Sequence, residues 1–307
     1  MKERIVRTVF FTLITISCIL LLIMILLNIF PFNAARVYSV SVLIRSPSDR
    51  FTKGMEQAAL DYNADLRIPS SVDANDGVLQ IDYLQRELDN YADAVVINPE
   101  DPEGMEAYLR DERPRAPVVS VIQPLAGDSA VCHVGADDAE LGRTLGEWIV
   151  GESSGPCVIL LPKTGFKPLH KTRLDALKEA LDRAGAVYAV RYADASAGSI
   201  SAGLGNEPYR SLAVVDENLL SYVCGVVSQA ADIYGAGYTG LARPYLESGR
   251  IKALAVYSDY DAGYLSVRAA VEAAEKKAAG GAVLTVYKVT AGNMYQEPIV
   301  NVLFPIG

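Results

Sequence analysis

The residues that invite a chemical reading are few. Gly151-Glu-Ser153-Ser-Gly155 fits the G-x-S-x-G pattern of a serine nucleophile, and His133 and His170 are the histidines available to serve it. That chemistry needs a strand before the serine and a helix after it, so that the hydroxyl stands on a sharp elbow. Here helical periodicity (Leu145–Val150) precedes the motif and a strand-like run (Cys157–Leu161) follows, the reverse order. Gly235-Ala-Gly237-Tyr-Thr-Gly240 fits the G-x-G-x-x-G dinucleotide fingerprint, with Asp259 downstream where a ribose-binding acid would stand. The preceding run carries Asp232 and is poorly apolar, and Pro244 shortens the helix that should hold the pyrophosphate. A dinucleotide-binding enzyme is therefore a remote alternative, and the loop reads better as the lining of a ligand crevice. The histidines stand 37 residues apart, with no H-E-x-x-H or paired-cysteine spacing, so no metal site and no cofactor is expected.

More telling are polar residues that follow short apolar runs: Arg45, Ser46 and Asp49, then Asn98 and Asp101, Asp137 and Asp138, Asp216 and Asn218, and Asp259 and Asp261. The runs before them, such as Val37–Ile44, Ala94–Ile97, Leu212–Val215 and Leu254–Tyr257, alternate with amphipathic helical stretches. Apolar strands of this kind belong to parallel sheets covered on both faces. Some ten of them exceed what one compact sheet carries, so an α/β fold of two doubly wound, Rossmann-like lobes is predicted. Ligands of open α/β sheets gather beyond the carboxyl ends of the strands. Each acid there can be a helix N-cap. Together they predict a neutral-to-acidic crevice suited to hydroxyls or amines more than to phosphate. Net charge is −9 and the main body has no basic run, so nucleic acid is not an expected partner. The cysteines at 132, 157 and 224 lie in apolar surroundings and read as small core residues, with a disulfide left open.

The N-terminus is different in kind. From Val9 to Leu27, nineteen residues carry no charge, and Lys2, Arg4 and Arg7 precede them. About 20 apolar residues span a bilayer, and the positive flank keeps the N-terminus inside. The stretch exceeds a signal-peptide core and no A-x-A-like site follows it, so an uncleaved transmembrane anchor over residues 1–36 is expected. Pro31 would end the helix and Asn33–Arg36 would form a tether, exporting the rest to the outer side of the cell membrane.

From Val37 to Gly307 the order of segments resembles the type I periplasmic-binding-protein family, in its ribose/galactose-binding branch. The resemblance is carried by Gly54-Met-Glu-Gln-Ala-Ala, Tyr91-Ala-Asp-Ala-Val-Val-Ile-Asn-Pro-Glu-Asp, His133-Val-Gly-Ala-Asp-Asp-Ala-Glu-Leu-Gly, Ala213-Val-Val-Asp-Glu, Tyr245-Leu-Glu-Ser-Gly-Arg-Ile-Lys-Ala and Asp261-Ala-Gly-Tyr-Leu-Ser-Val-Arg. It implies lobe 1 over 37–134 plus 258–291 and lobe 2 over 135–257 plus 292–307, with a C-terminal strand near Ile299–Leu303. It also implies closure on a small, sugar-like ligand without chemistry. Family position points to Asp138, Lys171 and Tyr257; with the strand-end residues Asn98, Asp216 and Asp259 and the ring-stacking candidates Phe51, Phe166 and Tyr238 they make the expected ligand set. Lys171 stands on or near the position of the family's ligand arginine, and Ile122-Gln123 replaces its sugar-binding aspartate. Delivery to an ABC importer permease is the expected role. Presentation of the ligand state to a sensor histidine kinase is the alternative.

Overall fold

The computed structural model describes residues 2–29, 36–69, 77–127, 129–205, 208–227 and 231–305. Most of the expected tether, with Pro31 and the Asp73–Asp76 turn, lies outside them. The chain divides into two units, Met1–Val37 and Tyr38–Gly307.

The first unit is helix α1 (Lys2–Ile29). Its continuously described side chains, Phe10–Met24, are all exposed, Phe10, Leu20, Leu21 and Met24 among them. Among the described residues no helix is long and apolar enough to cross a membrane. The anchor expected from the sequence is therefore not shown by the structure.

The second unit holds two six-stranded sheets. The first contains β1 (Tyr38–Leu43), β2 (Ala64–Arg67), β3 (Ala94–Ile97), β4 (Val118–Val121), β5 (Cys132–Ala136) and, from late in the chain, β11 (Ala282–Leu284), in the order β11-β5-β4-β3-β1-β2 and parallel throughout. Helices α2 (Asp49–Asp61), α3 (Gly77–Asp89), α4 (Pro102–Glu112) and α10 (Asp259–Ala274) cover it. The second contains β6 (Cys157–Pro162), β7 (Tyr188–Ala193), β8 (Ser211–Val214), β9 (Asp232–Ala236), β10 (Ile251–Val256) and β12 (Tyr287–Val289), in the order β12-β10-β9-β8-β6-β7. It packs against α5 (Asp138–Glu152), α6 (Pro168–Arg183), α7 (Ala197–Leu204), α8 (Glu217–Val226), α9 (Arg243–Glu247) and α11 (Ile299–Leu303). The strands β3, β4, β6 and β8 are buried at every position, which is why they read as apolar runs interrupted only by Ser120 and Ser211.

The chain passes between the sheets three times, from β5 into α5, from β10 into α10 and from β11 into β12. Two boundaries differ from expectation. Strand β12 pairs antiparallel with β10, Leu254 opposite Val289, so the last crossing falls before residue 287 and not at 291. Residues Ile299–Leu303 form a helix and not a strand. Ile299, Val302 and Leu303 are its buried side chains, spacings of three and four that lie on one helical face. A five-residue segment, apolar but for Asn301, is too short for periodicity to separate the two forms.

Each lobe sets one helix pair in close contact. In lobe 1, a Cβ placed on Gly54 of α2 would lie 2.0 Å from the carbonyl oxygen of Tyr260 in α10. In lobe 2, one placed on Gly142 of α5 would lie 2.1 Å from the carbonyl of Arg173 in α6. Only glycine allows helices to approach so closely. In both lobes this fixes the helix starts that carry the polar residues.

Candidate functional site

The helices α2, α5, α6, α8 and α10 each begin just past the carboxyl end of a strand. Their first turns need acceptors for amides that lack intrahelical partners. Ser48 caps α2 by accepting from the Phe51 amide, Asp137 caps α5, Asp216 caps α8 through the Leu219 amide at 2.9 Å, and Ser258 caps α10. The acids that the sequence marked are thus partly accounted for by capping. What remains is a network at the junction of the lobes.

Arg173 is buried and donates to Asp138 at 2.7 Å through Nε and to the Val215 carbonyl at 3.0 Å through Nη1. His170 stands 3.3 Å from Asp216. Arg50 donates to Asp259 at 2.6 Å and, across to lobe 2, to the Tyr238 carbonyl at 2.8 Å, with its guanidinium 5.0 Å from the Tyr238 ring. Lys167 of lobe 2 pairs with Glu100 of lobe 1 at 3.0 Å. Asn98 accepts from the Gln123 amide at 3.3 Å.

The side chains of Glu217 and Tyr257 have no hydrogen-bond partner among the described residues, although the Glu217 carbonyl accepts from Ser221 Oγ at 3.1 Å. Glu217 lies against Gly237, whose φ of +84° and missing side chain leave room for it. Its carboxyl is pushed up to about 7, by burial first and then by the charges of Asp259 and Asp216, against the pull of Arg173 and Arg50. The residue's surface is open to water all the same. Tyr257 packs on the cores of both lobes. Burial and the charges of Asp259 and Glu217 raise its phenol, so it is a neutral hydroxyl. Asp138 is likewise raised by burial, opposed by Arg173, whereas Asp216 is lowered despite burial, by its bonds from His170 and the Leu219 amide.

Of the nine residues singled out in the sequence, Asp138, Asp216, Tyr257 and Asp259 belong to this network directly, and Asn98 borders it through Gln123. Phe166 is half-exposed, its ring 5.8 Å from that of His170. Phe51 and Tyr238 are instead packed in the cores of lobe 1 and lobe 2, and Tyr238 contributes its carbonyl and ring face to Arg50. Lys171 is displaced outright: its side chain is 70% exposed and paired with Asp175 on its own helix. The buried cation is Arg173, two residues on, which a helix turning about 100° per residue carries to the opposite face. Arg50, Gln123, Lys167 and Glu217 were not singled out as ligand candidates. Arg50 and Lys167 are marked by their pairing with acids, and Gln123 and Glu217 by their place at the lobe junction, only once the lobes are assembled.

The enzyme motifs find no supporting geometry. Ser153 caps the C-terminus of α5 ahead of β6, and among the described residues neither histidine is its partner. After the 235–240 loop comes a 3₁₀ turn (Gly240–Ala242) and the five-residue α9, too short to present a helix N-terminus to a pyrophosphate. Among the described residues no group of three or more His, Cys, Asp or Glu side chains is placed to hold a metal ion. All four cysteines are free.

Two doubly wound lobes, three crossings and a polar junction at the strand ends define a two-lobed binding protein. Residues 40–278 match the family described as periplasmic binding protein domain, and the chain belongs to it, a family of binding proteins and not of enzymes. Similar solved structures agree on the fold. A carbohydrate transporter solute-binding protein from Agrobacterium radiobacter, in complex with D-arabinose, is 17% identical, with a TM-score of 0.75 over 88% of this chain and 99% of that one. An ABC transporter solute-binding protein from Agrobacterium vitis with bound D-fucose is 15% identical, with a TM-score of 0.74 over 88% and 100%. The XylFII–LytSN complex contains a chain 14% identical, with a TM-score of 0.69 over 84% and 99%. No curated protein matches.

Proposed function

We propose that this chain is an extracytoplasmic solute-binding protein, held at the membrane by α1, that closes its lobes on a small polyhydroxylated ligand and delivers it to an ABC importer. The observation that carries the reading is the interlobe junction, where the side chains of Glu217 and Tyr257 stand without hydrogen-bond partners among the described residues. Arg50, Arg173 and Lys167 are already paired to Asp259, Asp138 and Glu100. The cleft therefore holds an excess of acid over base and offers an acceptor and a hydroxyl to whatever enters. Neutral sugars, polyols and amino sugars fit such a lining; sugar phosphates do not. Asn98, Asp138, Phe166, Asp216 and Asp259 complete the proposed lining. The structural relatives that carry D-arabinose and D-fucose support a sugar-like ligand.

The anchor rests on the sequence of α1, whose uncharged nineteen-residue run follows Lys2, Arg4 and Arg7. A second reading, in which the closed form is presented to a sensor histidine kinase, draws support from the likeness to a binding protein solved in complex with a second protein. A strain lacking the gene separates the two: lost uptake of the ligand marks an importer component, and lost transcriptional response with intact uptake marks a sensor.

The ligand reading is tested by thermal shift of the full chain in detergent against D-arabinose, D-fucose, myo-inositol, D-glucosamine and glucose 6-phosphate. A ligand at 100 times its Kd adds about 2.7 kcal/mol, a rise of roughly 5–10 °C for a domain of this size. A rise with sugars or the amino sugar and none with the phosphate supports the reading. A rise with the phosphate alone, or with no compound of the panel, rejects it.

A further inference from the structure

We propose that the first turn of α6 is capped in trans by lobe 1, and that this contact, together with the Glu100–Lys167 ion pair beside it, is a clasp between the lobes that acts without ligand and adds to the closure that ligand drives.

Helix α6 begins at Pro168, which has no amide hydrogen to satisfy. The next donor, the Leu169 amide, needs an acceptor from outside the helix. That acceptor is Oε1 of Gln123, at 3.4 Å, from the other lobe. Gln123 is only 2% exposed, so lobe 1 spends a buried amide on a helix it does not own.

Its placement depends on an unusual turn. Ile122 has a φ of +63°, a left-handed conformation that costs a β-branched residue strain. The Gln123 amide closes a three-residue turn on the Val121 carbonyl at 2.7 Å, and the Ile122 amide is held by Val134 of β5 at 3.0 Å. Strain of this kind persists where the surroundings impose it, and here the turn carries Gln123 to α6.

The ion pair next to it is equally prepared. Gln80, also buried, accepts from the Glu100 amide at 2.9 Å and donates to the carbonyls of Asn98 and Leu43 at 2.9 and 3.2 Å. This fixes the 98–100 loop and leaves the Glu100 side chain, 5% exposed, facing Lys167 at the start of α6. A carboxylate at a helix N-terminus also gains from the helix dipole. Two groups of lobe 1, both pinned from behind, thus meet one helix end of lobe 2.

Hydrogen–deuterium exchange on the full chain in detergent, without ligand, tests the clasp and does not depend on what the cleft binds. The variants are Gln123→Ala and Lys167→Met. Each is expected to raise exchange roughly fivefold both in the first turn of α6 and in the 98–100 loop, the effect of losing about one hydrogen bond or ion pair from a local opening equilibrium. Lys167→Met removes neither acceptor nor donor of the Leu169 bond, so a joint rise in the two lobes reports their separation. Exchange unchanged in Lys167→Met, or raised only at α6 in Gln123→Ala, overturns the proposal. Should Gln123→Ala raise exchange in every strand through general unfolding, Lys167→Met decides alone.

Discussion

Lobe 1 meets the cleft with amides and turns: Asn98, Gln123 and the strained Ile122, backed by the buried Gln80, with Arg50 and Asp259 paired to each other at the α2–α10 side. Lobe 2 meets it with charge: Asp138 bound to Arg173, Asp216 bound to His170, and Glu217 bound to neither. Both walls are carried by a pair of helices in glycine-mediated contact, so the frames are alike and the chemistry is not. A hydrogen-bond scaffold of amides fixes geometry without a strong preference for ligand charge. A wall of partly compensated carboxylates sets that preference and makes it depend on pH. Orientation would thus be read from one lobe and charge from the other.

The largest expected effect lies in the charged wall. Asp138→Ala leaves Arg173 buried with a single carbonyl partner and is expected to cost about 3 kcal/mol of stability. Asn98→Ala, its counterpart across the cleft, removes one neutral acceptor and is expected to cost about 1 kcal/mol. Denaturant unfolding of both variants measures the contrast, and equal losses would break it.

The shared frame comes next. Gly54→Ala in lobe 1 and Gly142→Ala in lobe 2 each force a methyl group onto a backbone carbonyl, at about 2 kcal/mol. Similar losses would sharpen the view that the lobes differ in lining and not in construction. A loss confined to one would show that only that pair is rigidly set.

A smaller effect separates the walls by pH. The folded-state value of Glu217, about 7, lies above its ordinary 4.5, so the folded protein binds the proton more tightly than the unfolded chain. The stabilisation is full below about pH 4.5 and is lost as pH rises through about 7. Glu217→Gln should flatten that part of the melting-temperature profile, whereas Asn98→Ala should leave its slope as in the wild type. A Glu217→Gln profile as steep as the wild type would place the titrating group elsewhere.

Much of this architecture is legible in the sequence because it is written in local terms. Ala94–Ile97 and Leu212–Val215 announce buried parallel strands, since a strand covered on both faces needs apolar side chains at every position. Ser48, Asp137 and Asp216 announce helix starts because free amides must find acceptors. The short C-terminal helix reads as a strand in the sequence because four apolar residues around Asn301 fit either period. At the junction of the lobes, Asp138, Asp216 and Asp259 are marked in the sequence by their place after strands, and Tyr257 only by the family resemblance. Lys171 was chosen by alignment of position, and only the rotation of α6 shows that Arg173 faces inward instead. Gln123 carried no local signal as a helix cap, because the helix it caps lies 46 positions away in the chain.

By itself the sequence determined the alternation of strands and helices, the acidity of the strand ends and the apolar N-terminal run, all properties of neighbours along the chain. Tertiary structure alone decided which acids are paired, which carboxyl is left without a side-chain partner and which side chain reaches the opposite lobe. Pairing and burial depend on distance in space, and three crossings bring together residues that the chain order keeps far apart.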